Sequence, residues 1–333
     1  MIRRFSWHSF FSTAGILLLG AGLFAWSSWQ DFKLYTNPQT TETTIAKGMG
    51  MVQVAERLAS LGVISSANLF IADYYLNHEG MLKAGEYRFE EGEDARRILQ
   101  KLLKGEIIQY KLIIPEGFSL KEIAREMSNQ GIEGAGQLLS DHAMVNQMGV
   151  AATTLEGWLF PDTYFFRKGT NAQEIIRRMV DRSRNILTRE WESRQEGITL
   201  TPYQGLILAS IVEKETGIEG ERKRVAAVFH NRLKRKMRLQ SDPTVIYGIS
   251  DFNGDITRKD LTTPTPFNTY TMEGLPPSPI CNPGQASIHA TFHPEKSDEL
   301  YFVASGDGGH VFAKTLAEHQ KNVSRYLKRQ RQD

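Results

Sequence analysis

Apolar residues recur at helical spacing in several short runs. After Gly48 they fall at Met51, Val54, Ala55 and Leu58; after Gly92 at Ala95, Ile98, Leu99 and Leu102; after Gly117 at Leu120, Ile123, Ala124 and Met127. This i, i+3, i+4, i+7 pattern predicts three short amphipathic helices, each opened by a Gly turn. Strands are predicted at residues 86–89 and 110–114, the second ended by Pro115. The spacing of these modules is too uneven for a solenoid. Further on, a stripe of Ile175, Ile176, Met179, Val180, Ile186, Leu187 and Trp191 predicts a long helix over 173–192. Thr201-Pro202 reads as an N-cap and first-turn proline, opening a helix that stops at Gly217. Another helix is predicted over 219–237, a strand over 300–304 and a basic helix at the C-terminus. The fold class expected is α+β.

One run breaks this pattern. Residues 10–29, FFSTAGILLLGAGLFAWSSW, carry no formal charge, and twenty residues in a helix span roughly 30 Å, the thickness of a bilayer core. Trp7, Trp26 and Trp29 flank the run as interface anchors would, and Arg3 and Arg4 precede it. A single transmembrane helix with a cytoplasmic tail at 1–9 is expected, exporting everything after residue 30. A cleaved signal peptide is the competing reading, with Ala25-Trp26-Ser27 as its small-x-small site. Asn37-Pro38 and the TTETT stretch at 40–44 suit a short extended linker over 30–44. Two further parts are expected, 45–150 and 151–333.

Composition narrows the partners. The 333 residues carry 40 Lys+Arg against 38 Asp+Glu, a net charge of +2, which argues against nucleic acid. The single cysteine, Cys281, excludes an internal disulfide and a Cys-cluster metal site.

The candidate chemistry lies at the end of the helix opened by Thr201. At 100° per residue Glu213 shares a face with Leu206, Ala209 and Ser210, whereas Glu215 points almost opposite. A carboxyl on such a face loses hydration and is expected to hold its proton more tightly, as an acid for a glycosidic leaving oxygen must. The plainer reading is a solvated helix-end Glu. The helix over 219–237 carries Arg222, Lys223, Arg224, Arg232, Lys234, Arg235 and Lys236, either a solvated face or one that attracts an anionic polymer. Eight of the 12 prolines lie between 243 and 294, an irregular stretch suited to a preformed polar cleft or to rigid surface loops.

The runs LEGWLFPDTY (155–164), ILASIVEKET (207–216), VAAVFHNRL (225–233), LQSDPTVIYG (239–248), FNTY (267–270), GLPPSPI (274–280) and ELYFVASGDGGHVF (299–312) resemble the YceG-like family of endolytic murein transglycosylases. The resemblance implies a LysM-like subdomain at 45–150 beside a catalytic domain at 151–333. It implies cleavage of peptidoglycan glycan strands between N-acetylmuramic acid and N-acetylglucosamine, leaving a 1,6-anhydro end. Its catalytic glutamate falls on Glu213. Polymerising penicillin-binding proteins are implied as partners, with no cofactor and no metal. Gln240, Ser241, Asn268 and Tyr270 are the candidates for binding and polarising the sugar.

Three rivals remain. A hydrolytic muramidase needs a second carboxylate, for which Asp242, Glu156 and Asp162 are the candidates. A membrane-anchored murein-binding scaffold needs none. A metal enzyme would use His289, His293 and His310, although no HExxH pattern is present.

Overall fold

A computed structural model describes residues 7–330 apart from 79 and 251, with side chains described from residue 15. The chain divides into two compact units, Met1–Tyr110 and Lys111–Asp333.

The first unit opens with helix α1 (Trp7–Leu34). The expected span at 10–29 is helical throughout, and Ile16, Leu18, Leu19, Leu23, Phe24 and Trp26 are all exposed. Among the described residues, however, no helix is long and apolar enough to cross a membrane. Residues 1–6 of the expected tail, with Arg3 and Arg4, and the side chains of Trp7 and of residues 10–14 lie outside the described residues. The foot of α1 is docked, with Phe32 buried and Trp29 packed beside it.

The stretch 30–44 is not a free linker. Its end joins strand β1 (Thr41–Ile45), which runs antiparallel to β2 (Gly85–Phe89) with Thr43 opposite Tyr87. The reason is alternation: Thr43 and Ile45 point inward and are buried, and β-branched residues fit the pleat. Asn37, 1% exposed, pins the preceding turn by donating to the carbonyls of Phe89 and Glu90. Helices α2 (Met51–Ser60), α3 (Ala67–Asn77) and α4 (Ala95–Lys104) complete the unit. The stripes expected on α2 and α4 are the buried ones, Val54, Ala55 and Leu58 with Ile98, Leu99 and Leu102. They close over stacked Tyr87 and Phe89, ring centroids 5.8 Å apart.

In the second unit, β3 (Tyr110–Ile113) leads into α5 (Leu120–Asn129), α6 (Ala135–Ser140) and α7 (His142–Met148). These helices bury Ile123, Met127, Leu139 and Met144 in one core with Trp158, Ile175 and Met179. That shared core is why the division falls after residue 110 and not at 150. Next come β4 (Thr163–Phe166), paired with β3, and α8 (Ala172–Glu192). Helix α9 (Pro202–Glu215) starts at a Thr201 cap reinforced by Gln204. A single 3-10 turn precedes α10 (Arg222–Lys234). The proline-rich stretch expected to be irregular contains α11 (Asp242–Tyr247), α12 (Arg258–Thr262) and α13 (Gln285–Phe292). The hairpin β5 (Tyr301–Ala304) and β6 (His310–Ala313) and helix α14 (Leu316–Gln330) finish the chain.

Every residue of α9 from 205 to 212 is buried. Leu206 and Ala209 enter the core shared with α8, while Leu208, Ile211 and Val212 enter a second core with Val225, Phe229 and Ile280. A helix that is apolar all round must be covered all round. Gly205 allows one of those covers to seat. A Cβ there would lie 2.1 Å from Cζ of Phe292 on α13. Gly205→Ala should therefore cost about 1–3 kcal/mol by overpacking. Chemical denaturation checks this, and a midpoint equal to the parent's would show that α13 yields at no cost.

Candidate functional site

The Glu213 side chain is 7% exposed, at the end of the buried run of α9. The N–H of Gly284, the N-cap of α13, donates to its Oε2 at 2.9 Å. Arg222, on the first turn of α10 and 11% exposed, brings Nη2 to 3.9 Å from its Oε1. Arg222 Nε is buried and has no hydrogen-bond partner among the described residues. Lys214 turns aside to donate to the Gly117 carbonyl at 3.4 Å. A second carboxyl stands at the same place. A Cβ on Gly284 would lie 1.8 Å from Oε1 of Glu116, so both carboxyl groups abut one glycine. Burial first and the charge of Glu213 second hold Glu116 above the usual carboxylate range, with Arg222 opposing.

The segments around Glu213 are held by a buried network. Ser210 of α9 accepts from the Ile280 N–H at 3.0 Å, and its carbonyl meets the Cys281 thiol. Burial pushes that thiol well above its ordinary range. Asn282 donates to Phe118 O at 2.9 Å and to Glu156 at 3.0 Å, and accepts from Leu159 N–H at 2.8 Å. Its backbone exchanges bonds with Gly117 and Phe118. Glu156, 2% exposed, accepts from Leu120 N–H at 3.1 Å and from the Tyr247 hydroxyl at 2.9 Å. Burial pushes Glu156 up to about 7 against those three donors. An open cleft of about 770 Å³ crosses Glu156, Tyr247, Ser119, Lys121, Asp141 and His142; Glu213 is not among its lining residues.

The expected sugar-binding residues divide. Asn268 is fully buried, and its amide donates to the carbonyls of Asp260, Leu261 and Thr263. Ser241 is 1% exposed and donates to Glu215. In both, these polar atoms hold loop segments together. Gln240 is exposed, in a left-handed conformation at φ 52. Tyr270 is half-buried and donates to Asp242 at 2.6 Å. Glu215, almost opposite Glu213 on the helical wheel, is half-buried. Burial pushes it up to about 7, opposed by its bond from Ser241. Glu116 and Arg222 were missed as members of the site. The PEG turn at 115–117, directly after a predicted strand, was the available signal for Glu116.

The other candidates are engaged elsewhere. Asp162 pairs with Arg182 at 2.6 Å. Arg224 pairs with Glu299, and Arg232 is buried, donating to Leu300 O and Leu239 O. That leaves Lys223 and Lys234 exposed on α10 and Arg235 and Lys236 exposed just after it. His289 and His293 join Glu190, missed in sequence, with ligand atoms within 4.8 Å of one another, a group that could hold a metal ion. His289 Nδ1 sits 2.8 Å from Glu190, and His293 Nε2 sits 2.7 Å from Ser193 O. His310 meets Glu221 instead, at 2.7 Å.

The chain matches the model of the YceG-like family over residues 43–325. It is 33% identical over 309 residues to an endolytic murein transglycosylase of Bacillus subtilis, covering 86% of this chain and 85% of that protein. It is 28% identical over 320 residues to an endolytic murein transglycosylase of Streptococcus pneumoniae, covering 85% of this chain but 58% of that longer protein. Its structure is similar to a crystal structure of a yceG-like protein from Listeria monocytogenes, with TM-score 0.56, 33% identity and coverage of 85% and 98%.

The Glu156 network has a measurable signature. Its raised value means that the folded state keeps a proton that the unfolded state, at an ordinary 4.5, gives up. Stability from this group is thus full below that ordinary value and is lost as pH rises toward 7, by on the order of 3 kcal/mol. Glu156→Gln, neutral at every pH, should flatten this fall. Urea midpoints measured across pH check it, and a variant slope as steep as the parent's would remove Glu156 as its source.

Proposed function

The chain belongs to the YceG-like family, and from that premise we propose that it is a lytic transglycosylase of peptidoglycan in which Glu213 is the working acid and base. The observation that carries this reading is the nearly buried Glu213 carboxyl, fixed by the Gly284 N–H at the end of α9. The printed names of the relatives support the substrate class.

The reaction begins with Glu213 protonated. It gives its proton to the oxygen leaving C1 of N-acetylmuramic acid as the bond to N-acetylglucosamine breaks. The C6 hydroxyl of the same sugar then attacks C1, and the Glu213 carboxylate takes the hydroxyl proton. One carboxyl suffices because the nucleophile is intramolecular and already at high effective concentration. A 1,6-anhydro end forms, no water is consumed, and Glu213 ends as it began. The unpartnered Nε of Arg222 supplies a donor for a substrate oxygen in this place. Gln240 and Tyr270, both with exposed surface, are the remaining sugar-binding candidates.

Residues 10–29 serve in this reading as the inner-membrane anchor, supported by their uncharged run and the bare apolar side chains of α1. The strand–helix modules that begin at residue 45 act as a LysM-like grip on glycan. The catalytic part works outside the cytoplasm on nascent strands, ending their elongation beside polymerising synthases. A hydrolytic muramidase using Asp242, Glu156 or Asp162 is disfavoured, because each of those acids is engaged by Tyr270, Asn282 or Arg182.

Glu213→Gln should lower anhydro-product release by about 100-fold or more while leaving the fold intact. Mass spectrometry of digested murein strands reads this. Reducing ends from the parent would point to hydrolysis, and a Gln variant as fast as the parent would remove Glu213 from the chemistry.

A further inference from the structure

We infer that Glu116 is the electrostatic partner of Glu213, the two carboxyl groups bracketing Gly284 beside Arg222. This rests on the reading of Glu213 as the acid–base group.

The geometry is specific. Gly284 has φ −74, a conformation open to any residue, so its backbone does not demand glycine. What demands it is space, since a Cβ would lie 1.8 Å from Oε1 and 2.1 Å from Cδ of Glu116. The same residue's N–H is bonded to Glu213. The missing side chain therefore gives Glu116 its place beside Glu213. Glu116 is itself held from below, because the next residue, Gly117, donates its N–H to Asn282 O at 2.9 Å. A Cβ on Gly117 would meet Cγ of Glu213 at 3.7 Å, so the 116–117 turn lies directly on that side chain.

The two acids differ in access. Glu213 is nearly buried, whereas Glu116 stands at the rim, partly covered and partly in water. Three other groups face them: Arg222 from α10, Lys214 from α9 and the Cys281 thiol from the segment before α13. Lys214 is engaged with the Gly117 carbonyl, and the thiol is neutral. Arg222 is thus the cation that opposes the pair. Burial and the Glu213 charge both raise Glu116, and Arg222 lowers it.

The proton that starts the reaction must be in place before substrate is cleaved, and the alkaline limb of kcat/KM reports its loss. A negative charge at Glu116 disfavours a second one beside it, and the Arg222 cation favours it. Glu116 is on this account a positioning residue that acts through Glu213. A residue that only shaped the loop would change the plateau and leave the limb where it was.

The test uses the full chain in detergent micelles on purified glycan strands, with anhydro product counted across pH. Glu116→Gln should move the alkaline limb down by about one pH unit. Arg222→Gln should move it up, and Glu116→Asp, which keeps the charge, should return it toward the parent position. Coincident limbs for the parent and Glu116→Gln would overturn the inference, as would shifts of the same sign in the Glu116 and Arg222 variants. Either variant alone decides the sign if the other does not fold. A parent that releases no anhydro product would refute the reading of the reaction instead.

Discussion

Complete burial of α9 is the constraint on which the second unit depends. A helix with eight successive residues out of water has no solvent face, so every neighbour must be a cover. One core takes Leu206 and Ala209, and the other takes Leu208, Ile211 and Val212. Between them, Ser210 satisfies itself on Ile207 O and accepts the Ile280 N–H, so the one polar side chain within the buried run becomes the clasp for the segment ahead of α13. The helix then ends in EKE with both acids still inside the surrounding structure. Glu213 meets a peptide N–H and Glu215 meets a serine hydroxyl.

The neighbourhood of Glu213 is consequently assembled from segments far apart in the chain. Asn282 and Glu156 tie the turn at 116–118 to the segment 280–284, the Gly284 N–H joins that segment to the helix end at Glu213, and Arg222 at the start of α10 lies 3.9 Å from the same carboxyl. Such a network is favourable only when each member is satisfied. Its buried acids are a liability at neutral pH, since Glu156 and Glu215 are both pushed up to about 7. Stability given up at that point goes with a rim of fixed geometry around the Glu213 carboxyl.

Charge elsewhere is used mostly for construction. Arg224 clamps Glu299, and Arg232 reaches two backbone carbonyls from inside the fold. In the first unit, Lys101 lies against Glu93 at 2.5 Å and donates to Arg88 O. A run of basic letters therefore says little about ligand binding until its partners are known, which is why the solvated-face and polymer-binding readings of the 219–237 helix could not be separated by spacing.

Much of the local structure was legible in the letters. Gly turns followed by i, i+3, i+4, i+7 stripes marked α2, α4 and α5, and Thr201-Pro202 marked the start of α9, because caps and amphipathic faces are short-range physics. β1 reads as linker in the sequence because four of the five residues of TETTI are polar and its partner β2 lies some 40 residues on; α13 is masked by prolines that flank it without entering it. The sequence by itself identified Glu213 as the carboxyl to watch, through its face on the helix and the ASIVEKET run. Only the tertiary structure decided what surrounds it. Glu116, Arg222 and the bare α-carbon of Gly284 are brought to Glu213 by packing around a helix with no solvent face, and no periodicity records a contact made across nearly a hundred residues.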